Sequence, residues 1–227
     1  MPIPLTSYAR REILLYGGIP LLITAAVAVF FWPHWYVALG PAVITAWAFS
    51  FFRDPNRRVP QGKNLLLAPA DGRITHVETL ESAPPELGCP GPALRISIFL
   101  SVFNCHLNRA PCAGRIDRIV YKPGQYVNAL RGDSAVLNEQ NIIVLTADAV
   151  GRPVLVRQVS GAIARRIVCA VKEGDHLETG QRFGMIKFGS RTDLVIPADV
   201  AVELGVKIGD RVKAGLTVLG RFAGGEA

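Results

Sequence analysis

Three short stretches of this chain concentrate the side chains that could carry chemistry. Asp71 lies in the sequence Pro-Ala-Asp-Gly, His106 in Asn-Cys-His-Leu-Asn-Arg, and Ser190 in Phe-Gly-Ser-Arg. A carboxylate, an imidazole and a hydroxyl are the groups that acid–base and nucleophilic catalysis use. Taken singly, each favours a structural role, because Asp-Gly marks a turn and a lone histidine is often a hydrogen-bonded core residue. The rest of the chain therefore has to show whether the three act together.

A metal site is one alternative for part of this set. Cys105, His106 and Cys112 could be considered as ligands, but the spacing typical of zinc sites is absent. The other two cysteines, Cys89 and Cys169, form no C-x-x-C pair with them, and a chain of 227 residues needs no disulfide scaffold. We predict buried free thiols in a reducing, cytoplasmic compartment, and no metal.

The composition points to lipid as a partner. Half of the residues are hydrophobic and 19% are charged, and the mean hydropathy is +0.29. Some part of the chain is therefore more apolar than a globular core requires. The net charge is +7, with the basic residues scattered except where they flank an apolar N-terminal region. Nucleic-acid-binding proteins usually carry a basic stripe with interleaved aromatics, so we predict an anionic lipid surface and no nucleic acid.

The N-terminal region predicts an apolar helical hairpin. Residues 13–32 and 36–52 are almost entirely apolar, and each run has about the 17–20 residues needed to cross a bilayer as a helix. Trp32, Trp35 and Tyr36 cluster at the joint, where amphipathic rings suit a membrane interface. Glycines and prolines in both runs weaken the helices, so crossing the bilayer and dipping into it both stay open.

The charges around the hairpin predict its orientation. Basic residues precede the first run and follow the second, whereas the joint has none; they are Arg10, Arg11, Arg53, Arg57, Arg58 and Lys63. Because positive residues stay in the cytoplasm, we predict a cell-membrane protein whose remaining chain lies on the cytoplasmic side. A signal peptide is one alternative, but the second apolar run and the cysteines argue against it. A buried hairpin in a soluble protein is another.

From Lys63 onward the pattern predicts a mainly β domain. Prolines and glycines separate short β-branched runs, which are residues 73–77, 94–99, 115–120, 141–146, 154–159 and 165–171. This spacing favours a barrel or sandwich over alternating strands and helices. A short helix is expected at 198–204, where Pro197 could open it.

An internal repeat refines the fold prediction. Residues 171–180 and 206–215 both follow V-K-x-G-D-x-[LV]-x-x-G, in which Gly-Asp marks a tight turn and the final glycine a second one. The pattern resembles the barrel-sandwich hybrid of biotinyl and lipoyl carrier domains, which speaks to fold more than function. A carrier would need an exposed lysine at a hairpin tip, and Lys187, in Met-Ile-Lys-Phe-Gly, matches that tip poorly.

The chain after Phe51 resembles the short class of the phosphatidylserine decarboxylase family. A Gly-Ser pair alone would mean nothing, but several motifs occur together in the family's order. They are Phe52-Arg-Asp-Pro-Asn-Arg57, Asp71-Gly72, Lys122-Pro-Gly124, Asn138-Glu-Gln-Asn141, Val159-Ser-Gly161 and the cleavage motif Phe188-Gly-Ser-Arg191.

The resemblance implies a self-cleaving zymogen. Ser190 attacks the carbonyl of Gly189, and the resulting ester eliminates to give a large chain, 1–189, and a small chain, 190–227. The domains expected are a membrane-associated hairpin with its linker, 1–60, and a catalytic β domain, 61–227. The two chains are expected to remain associated, and a homo-oligomer is compatible with the short class.

The resemblance also implies the cofactor and the reaction. Ser190 becomes a covalent pyruvoyl group, so no external cofactor is needed. The amine of phosphatidylserine forms a Schiff base with its ketone, carbon dioxide leaves, and phosphatidylethanolamine is released. The membrane and an anionic phospholipid are the implied partners.

Three further residues receive roles from the same resemblance. The longer enzymes of the family carry two histidines three positions apart, and the second is assigned to a protease-like triad with an Asp. Here the first histidine matches His106, but Arg109 replaces the second. His106 is therefore expected to serve decarboxylation as a proton donor, Asp71 to orient it or to act in cleavage, and Arg109 to bind a carboxylate or phosphate.

Other functions stay open at this point. A membrane-tethered biotinyl- or lipoyl-like carrier modified at Lys187, or an adaptor without catalysis, would keep the chain intact. Within the enzyme class, an ether analogue of the lipid would present the same headgroup as the ester.

Overall fold

The protein was analysed as a computed structural model, which describes residues 4–30, 32–62, 64–127, 137–161, 166–187 and 190–223. Two compact units divide the chain, Met1–Asn56 and Arg57–Ala227. The second unit begins four residues before the boundary predicted after residue 60. Strands make up 41% and helices 22% of the structure, which confirms the mainly β prediction with a helical N-terminus.

The first unit is a helical hairpin. Its helical segments are a 3₁₀ turn (Ser7–Ala9), α1 (Arg10–Ile13), a π-helix (Leu14–Gly18), α2 (Ile19–Phe30), a 3₁₀ segment (Trp32–Ala38) and α3 (Leu39–Phe51). Pro20 has no N–H to donate to the preceding turn, and the helix widens to the π form immediately before it. Thr45 Oγ1 donates to the Gly17 carbonyl at 3.4 Å, which joins the two arms of the hairpin.

The hairpin presents an apolar surface. Residues Ser7–Phe30 form a helical stretch of 24 residues, long enough to cross a membrane, and an 18-residue window within it has a mean hydropathy of 2.3. The second apolar stretch, Tyr36–Phe51, is shorter. Leu22 is 71% and Phe30 79% exposed. Large apolar side chains exposed on a helix indicate a membrane or protein partner. Tyr36 is exposed at the joint, whereas the side chains of Trp32 and Trp35 lie outside the described residues.

The second unit contains fourteen strands in the described residues. They are β1 (Leu65–Leu67), β2 (Gly72–Leu80), β3 (Ala93–Leu100), β4 (Leu107–Arg109), β5 (Gly114–Lys122), β6 (Gln140–Ala147), β7 (Arg152–Val159), β8 (Arg166–Cys169), β9 (His176–Leu177), β10 (Arg182–Lys187), β11 (Ser190–Pro197), β12 (Val202–Leu204), β13 (Arg211–Val212) and β14 (Val218–Phe222). Five of the six runs predicted as strands are confirmed; of the sixth, predicted at 165–171, the strand covers Arg166–Cys169, and residue 165 lies outside the described residues.

The strands form one large and two small antiparallel sheets. The eight-stranded sheet has the order β13-β2-β3-β11-β7-β6-β5-β9, and the small sheets have the orders β1-β14-β12 and β4-β10-β8. The main core lies between them, where Ile98, Leu145 and Leu194 are at most 1% exposed. β11 lies near the middle of the large sheet, paired on one side with β3 and on the other with β7.

The unit is built from two similar halves, of which the V-K-x-G-D repeat is one visible part. The sequence A-P-A-D-G-R-I at 68–74 recurs as A-P-C-A-G-R-I at 110–116. Equivalent hydrogen bonds form in both halves. Gly215 N–H donates to the Ala68 carbonyl and Gly180 N–H to the Ala110 carbonyl, each at 2.9 Å. The predicted tight turns are confirmed, and Gly180 and Gly215 have φ values of +76° and +66°.

The helix predicted at 198–204 is wrong. Residues 198–201 form a turn in which Val200 N–H donates to the Pro197 carbonyl at 3.0 Å. Residues Val202–Leu204 then pair with β14 as strand β12. Pro197 ends β11 rather than opening a helix, because strand pairing satisfies the backbone groups that follow the turn.

A substitution at Gly72 tests how closely β2 approaches β3. A Cβ at Gly72 would lie 2.1 Å from the Phe99 carbonyl oxygen, whereas a Cβ at Gly205 would meet nothing within 4 Å. We expect Gly72→Ala to lower the free energy of unfolding by about 1–3 kcal/mol and Gly205→Ala to leave it nearly unchanged. Urea unfolding of the full chain in detergent, followed by far-UV circular dichroism, measures both. Equal stability of the two variants would contradict this packing.

Candidate functional site

Ser190 begins β11 in the interior of the second unit. It is fully buried at 0% exposure, and its backbone pairs with Leu100 at the end of β3. Within the described residues its Oγ atom has no hydrogen-bond partner. Leaving a buried hydroxyl unpartnered costs about 1–3 kcal/mol. Ser97 and Ser160 share this state among the described residues, so the sequence motif distinguishes Ser190 from them.

His106 precedes β4 and is also fully buried. Its Nδ1 atom lies 3.0 Å from the Asn104 carbonyl oxygen. Because a carbonyl oxygen only accepts, Nδ1 carries the hydrogen and Nε2 is the nitrogen that accepts a proton in the neutral ring. The Asn104 side chain accepts from the Ser101 N–H at 2.9 Å, which closes the turn that holds this carbonyl in place.

Two hydrogen bonds anchor the segment that contains Ser190 to the His106 region. Ile186 N–H donates to the His106 carbonyl at 3.2 Å, and Asn108 Nδ2 donates to Thr192 Oγ1 at 3.1 Å. Ser190 lies between Ile186 and Thr192 in the chain. The structure therefore brings the predicted serine and the predicted histidine to one place.

Asp71 lies in the turn before β2 and is buried in an ion pair that sequence reasoning missed. Arg57 donates to its carboxylate from both terminal guanidinium nitrogens, from Nη1 to Oδ1 at 2.6 Å and from Nη2 to Oδ2 at 2.8 Å. Ala214 N–H donates to the same carboxylate at 2.8 Å. Among the described residues Asp71 hydrogen-bonds to neither His106 nor Ser190. Arg57 therefore fixes the orientation of the Asp71 carboxylate. The sequence signal for this ion pair was Arg57 itself, the last residue of the Phe52-Arg-Asp-Pro-Asn-Arg57 motif.

Arg109 is 5% exposed and joins the two halves of the unit. Its Nη1 atom donates to the Gly180 carbonyl at 3.0 Å. Its aliphatic part passes so close to Gly215 that a Cβ there would lie 2.8 Å from Arg109 Cδ. The absence of a side chain at Gly215 thus makes room for Arg109, whereas a Cβ at Gly180 would lie 2.7 Å from Val59.

The structure also bears on several other predictions made from the sequence. Lys187 is 4% exposed at the end of β10, unlike an exposed carrier lysine. Gly189 lies outside the described residues. The described residues contain no group of three or more His, Cys, Asp or Glu side chains arranged to bind a metal ion. Cys112 is a buried free thiol, and burial raises its pKa to about 12, so it is unreactive at neutral pH.

Sequence reasoning also missed a row of buried amides beside Ser190. Asn141 Nδ2 donates to Gln158 Oε1 at 2.8 Å, and Gln158 Nε2 donates to Asn108 Oδ1 at 2.9 Å. The row continues to Thr192, two residues after Ser190. The available signal was the number of Asn and Gln residues inside runs otherwise typical of buried strands, since buried polar groups are there to be hydrogen-bonded.

Comparison with known proteins identifies the family. Residues 44–220 match the family model of phosphatidylserine decarboxylase. The phosphatidylserine decarboxylase proenzyme of Rhodopirellula baltica is 41% identical over 224 residues, which cover 98% of this chain and 90% of the relative. The proenzyme of Ruegeria pomeroyi is 43% identical, and the match covers 95% of this chain and 94% of the relative. The proenzyme of Desulfotalea psychrophila is 46% identical, and the match covers 78% of this chain and 80% of the relative. The motifs around Asp71, His106 and Ser190 lie within the matched range, and the chain belongs to the phosphatidylserine decarboxylase family.

Proposed function

We propose that this chain is a proenzyme that cleaves itself between Gly189 and Ser190 and then decarboxylates phosphatidylserine to phosphatidylethanolamine. Membership of the family supports the reaction. The observation that carries the self-cleavage is the Ser190 hydroxyl, which is fully buried without a partner among the described residues. A nucleophile that must attack its own backbone has to keep its hydroxyl uncommitted.

Cleavage follows from the chemistry of Ser190. Its Oγ attacks the Gly189 carbonyl carbon, the C–N bond breaks, and an ester replaces the amide. Loss of the Ser190 α-proton then expels the Gly189 carboxylate and leaves dehydroalanine. Water adds to this residue and ammonia leaves, so that a pyruvoyl group terminates the small chain. When formed, this group supplies the electron sink that decarboxylation needs.

The residues around Ser190 are suited to hold a pyruvoyl group. His106, Asn108 and Ser190 are each 0% exposed, so bulk water has little access to the place where charge develops, as decarboxylation favours. Single water molecules must still enter for the hydrolysis that forms the pyruvoyl group. We assign His106 to deliver the proton that the substrate carbon takes up after carbon dioxide leaves; because Nε2 of the neutral ring carries no hydrogen, the ring must first take up a proton there. Asp71, held by Arg57, orients the turn beside it, and Arg109 is proposed to bind the substrate's carboxylate or phosphate.

The sheet explains how the two chains stay together after cleavage. β11 is hydrogen-bonded to β3 and β7, and β14 is hydrogen-bonded to β1. Both strands belong to the small chain, whereas their partners belong to the large chain. Separation would break these ladders and expose the core, so we expect a stable two-chain complex.

The first unit is proposed to hold the enzyme on the membrane, with the second unit on the cytoplasmic side. Its apolar helix suits a lipid partner, and the basic residues beyond the hairpin suit the cytoplasmic face and an anionic substrate. A carrier function is disfavoured by the burial of Lys187. An ether analogue of the substrate would bind through the same headgroup.

Intact mass spectrometry tests the cleavage. The wild-type protein should give two chains split after Gly189, the smaller lighter by one ammonia than hydrolysis alone would leave it. Ser190→Ala should give one uncut, folded and inactive chain, because it lacks the attacking oxygen. A single full-length mass from folded wild-type protein, or decarboxylation by Ser190→Ala, would refute the proposal.

A second variant tests the role of His106. We expect His106→Ala to cleave at 189–190 but to turn over phosphatidylserine vesicles about 10²–10⁴-fold more slowly, because general acid–base catalysis contributes about that much. The control is His176→Ala, since that ring is half exposed and bound to Asp148. Failure of His106→Ala to cleave would instead assign His106 to the self-cleavage.

The Arg57–Asp71 pair gives a stability test. Arg57→Met leaves a buried carboxylate without its cation, and should lower the free energy of unfolding by about 3–5 kcal/mol. The double variant Arg57→Met/Asp71→Leu should lose less stability than the single variant, because no buried charge is left unpaired. Urea unfolding followed by circular dichroism compares them, and a double variant less stable than the single one would contradict this account.

A further inference from the structure

The side-chain amide of Asn108 links three elements around the cleavage site. Asn108 is fully buried in β4. Its Nδ2 atom donates to Thr192 Oγ1 at 3.1 Å and to the Pro69 carbonyl at 3.3 Å. Its Oδ1 atom accepts from Gln158 Nε2 at 2.9 Å. One amide therefore joins β4 to β11, to β7 and to the turn that carries Asp71.

The direction of each hydrogen bond in this row is determined. The Pro69 carbonyl can only accept, so Nδ2 of Asn108 has to face it and Oδ1 has to face Gln158. Gln158 then presents its own oxygen to Asn141 Nδ2, at 2.8 Å. Reversing any one amide would place two donors or two acceptors against each other in a dry interior, at the cost of unmade hydrogen bonds.

The row ends at the segment that has to be cut. Thr192 and Ser190 lie on the same face of β11, because side chains two apart on a strand share a face. The other end of the segment is tied to the residue directly before β4, through the bond from Ile186 N–H to the His106 carbonyl at 3.2 Å. The proposed scissile bond thus lies between two residues, Ile186 and Thr192, that are held by His106 and Asn108.

We propose that Asn108 is a positioning residue for self-cleavage, which holds the start of β11 so that Ser190 Oγ meets the preceding carbonyl. The proposal rests on the proposed function. Attack requires the reacting atoms to be held about 3–3.5 Å apart, and a displacement of about 1 Å can slow a reaction about 10²-fold. Without the Asn108 bond, the Thr192 end of the segment loses its side-chain tie to β4.

Two substitutions at position 108 separate positioning from packing. Asn108→Leu is similar in size and cannot hydrogen-bond. Asn108→Asp keeps an acceptor for Gln158, but its ionised form has no hydrogen to donate to Thr192 or the Pro69 carbonyl. A buried carboxyl takes up a proton more readily than one in water, and its neutral form can again donate one hydrogen bond.

The experiment follows cleavage of newly made full-length chains, synthesised in a cell-free reaction with detergent and then held at pH 8.0 or shifted to pH 5.5, by gel and intact mass. Both variants should cleave about 10–100-fold more slowly than wild type at pH 8.0. Asn108→Asp should recover at pH 5.5 and Asn108→Leu should not. Pro69, Gln158 and Thr192 do not titrate. Wild type and Asn108→Leu, measured at both pH values, give the effect that pH has on cleavage without the new carboxylate.

The outcomes are distinct. Wild-type speed in Asn108→Leu at pH 8.0, or an equal response of both variants to pH, would overturn the inference while leaving the proposed function intact. An uncut wild-type chain would instead refute the proposed function. Leu145→Ala, a core substitution distant from Ser190 along the sheet, is the control for lost stability and should cleave at the wild-type rate.

A third variant keeps the test decisive if both Asn108 variants fail to fold. Gln158→Met removes the N–H that holds Asn108 Oδ1 but leaves β4 unchanged. We expect its precursor to cleave several-fold more slowly than wild type. Cleavage at the wild-type rate would overturn the inference.

Discussion

The site depends on one constraint, the attachment of β4 to the chain on both sides of residues 188 and 189. Backbone pairing ties β4 to residues Arg182–Met185 of β10, and the Asn108 side chain ties it to the start of β11. The proposed self-cleavage is intramolecular, so its rate would be set by how closely the hydroxyl and the carbonyl are held. The same strand follows directly on His106, so the group proposed for proton transfer would stay beside the new end of the small chain.

Burial gives these polar residues their importance. In a dry interior a satisfied row of amides is rigid, because each bond is strengthened by the low dielectric and every reversed amide is costly. Asn141, Gln158 and Asn108 form such a row. Ser190 differs from them in having no partner among the described residues. In the proposed self-cleavage, the rigid row would fix the position of the site while the Ser190 hydroxyl stays available to react.

The two halves of the second unit share a framework but differ at the candidate site. Both halves use the same turns and equivalent backbone hydrogen bonds, yet Asp71 in the first half corresponds to Ala113 in the second. Only the first of these positions carries a carboxylate, which pairs with Arg57. The repeated framework is therefore structural, and we place the proposed chemistry on residues that differ between the halves.

The sequence by itself determined the mainly β class, the apolar hairpin and the tight Gly-Asp turns, because these follow from local periodicity and backbone preference. It also determined the family, through the motifs around Asp71, His106 and Ser190. The helix expected at 198–204 was wrong because pairing of β12 with β14 overrides local preference. Only the tertiary structure decided that Arg57 pairs with Asp71, that Arg109 binds the Gly180 carbonyl, and that Asn108 reaches Thr192. Such contacts join residues far apart in the chain, and no local pattern specifies which buried polar groups will meet.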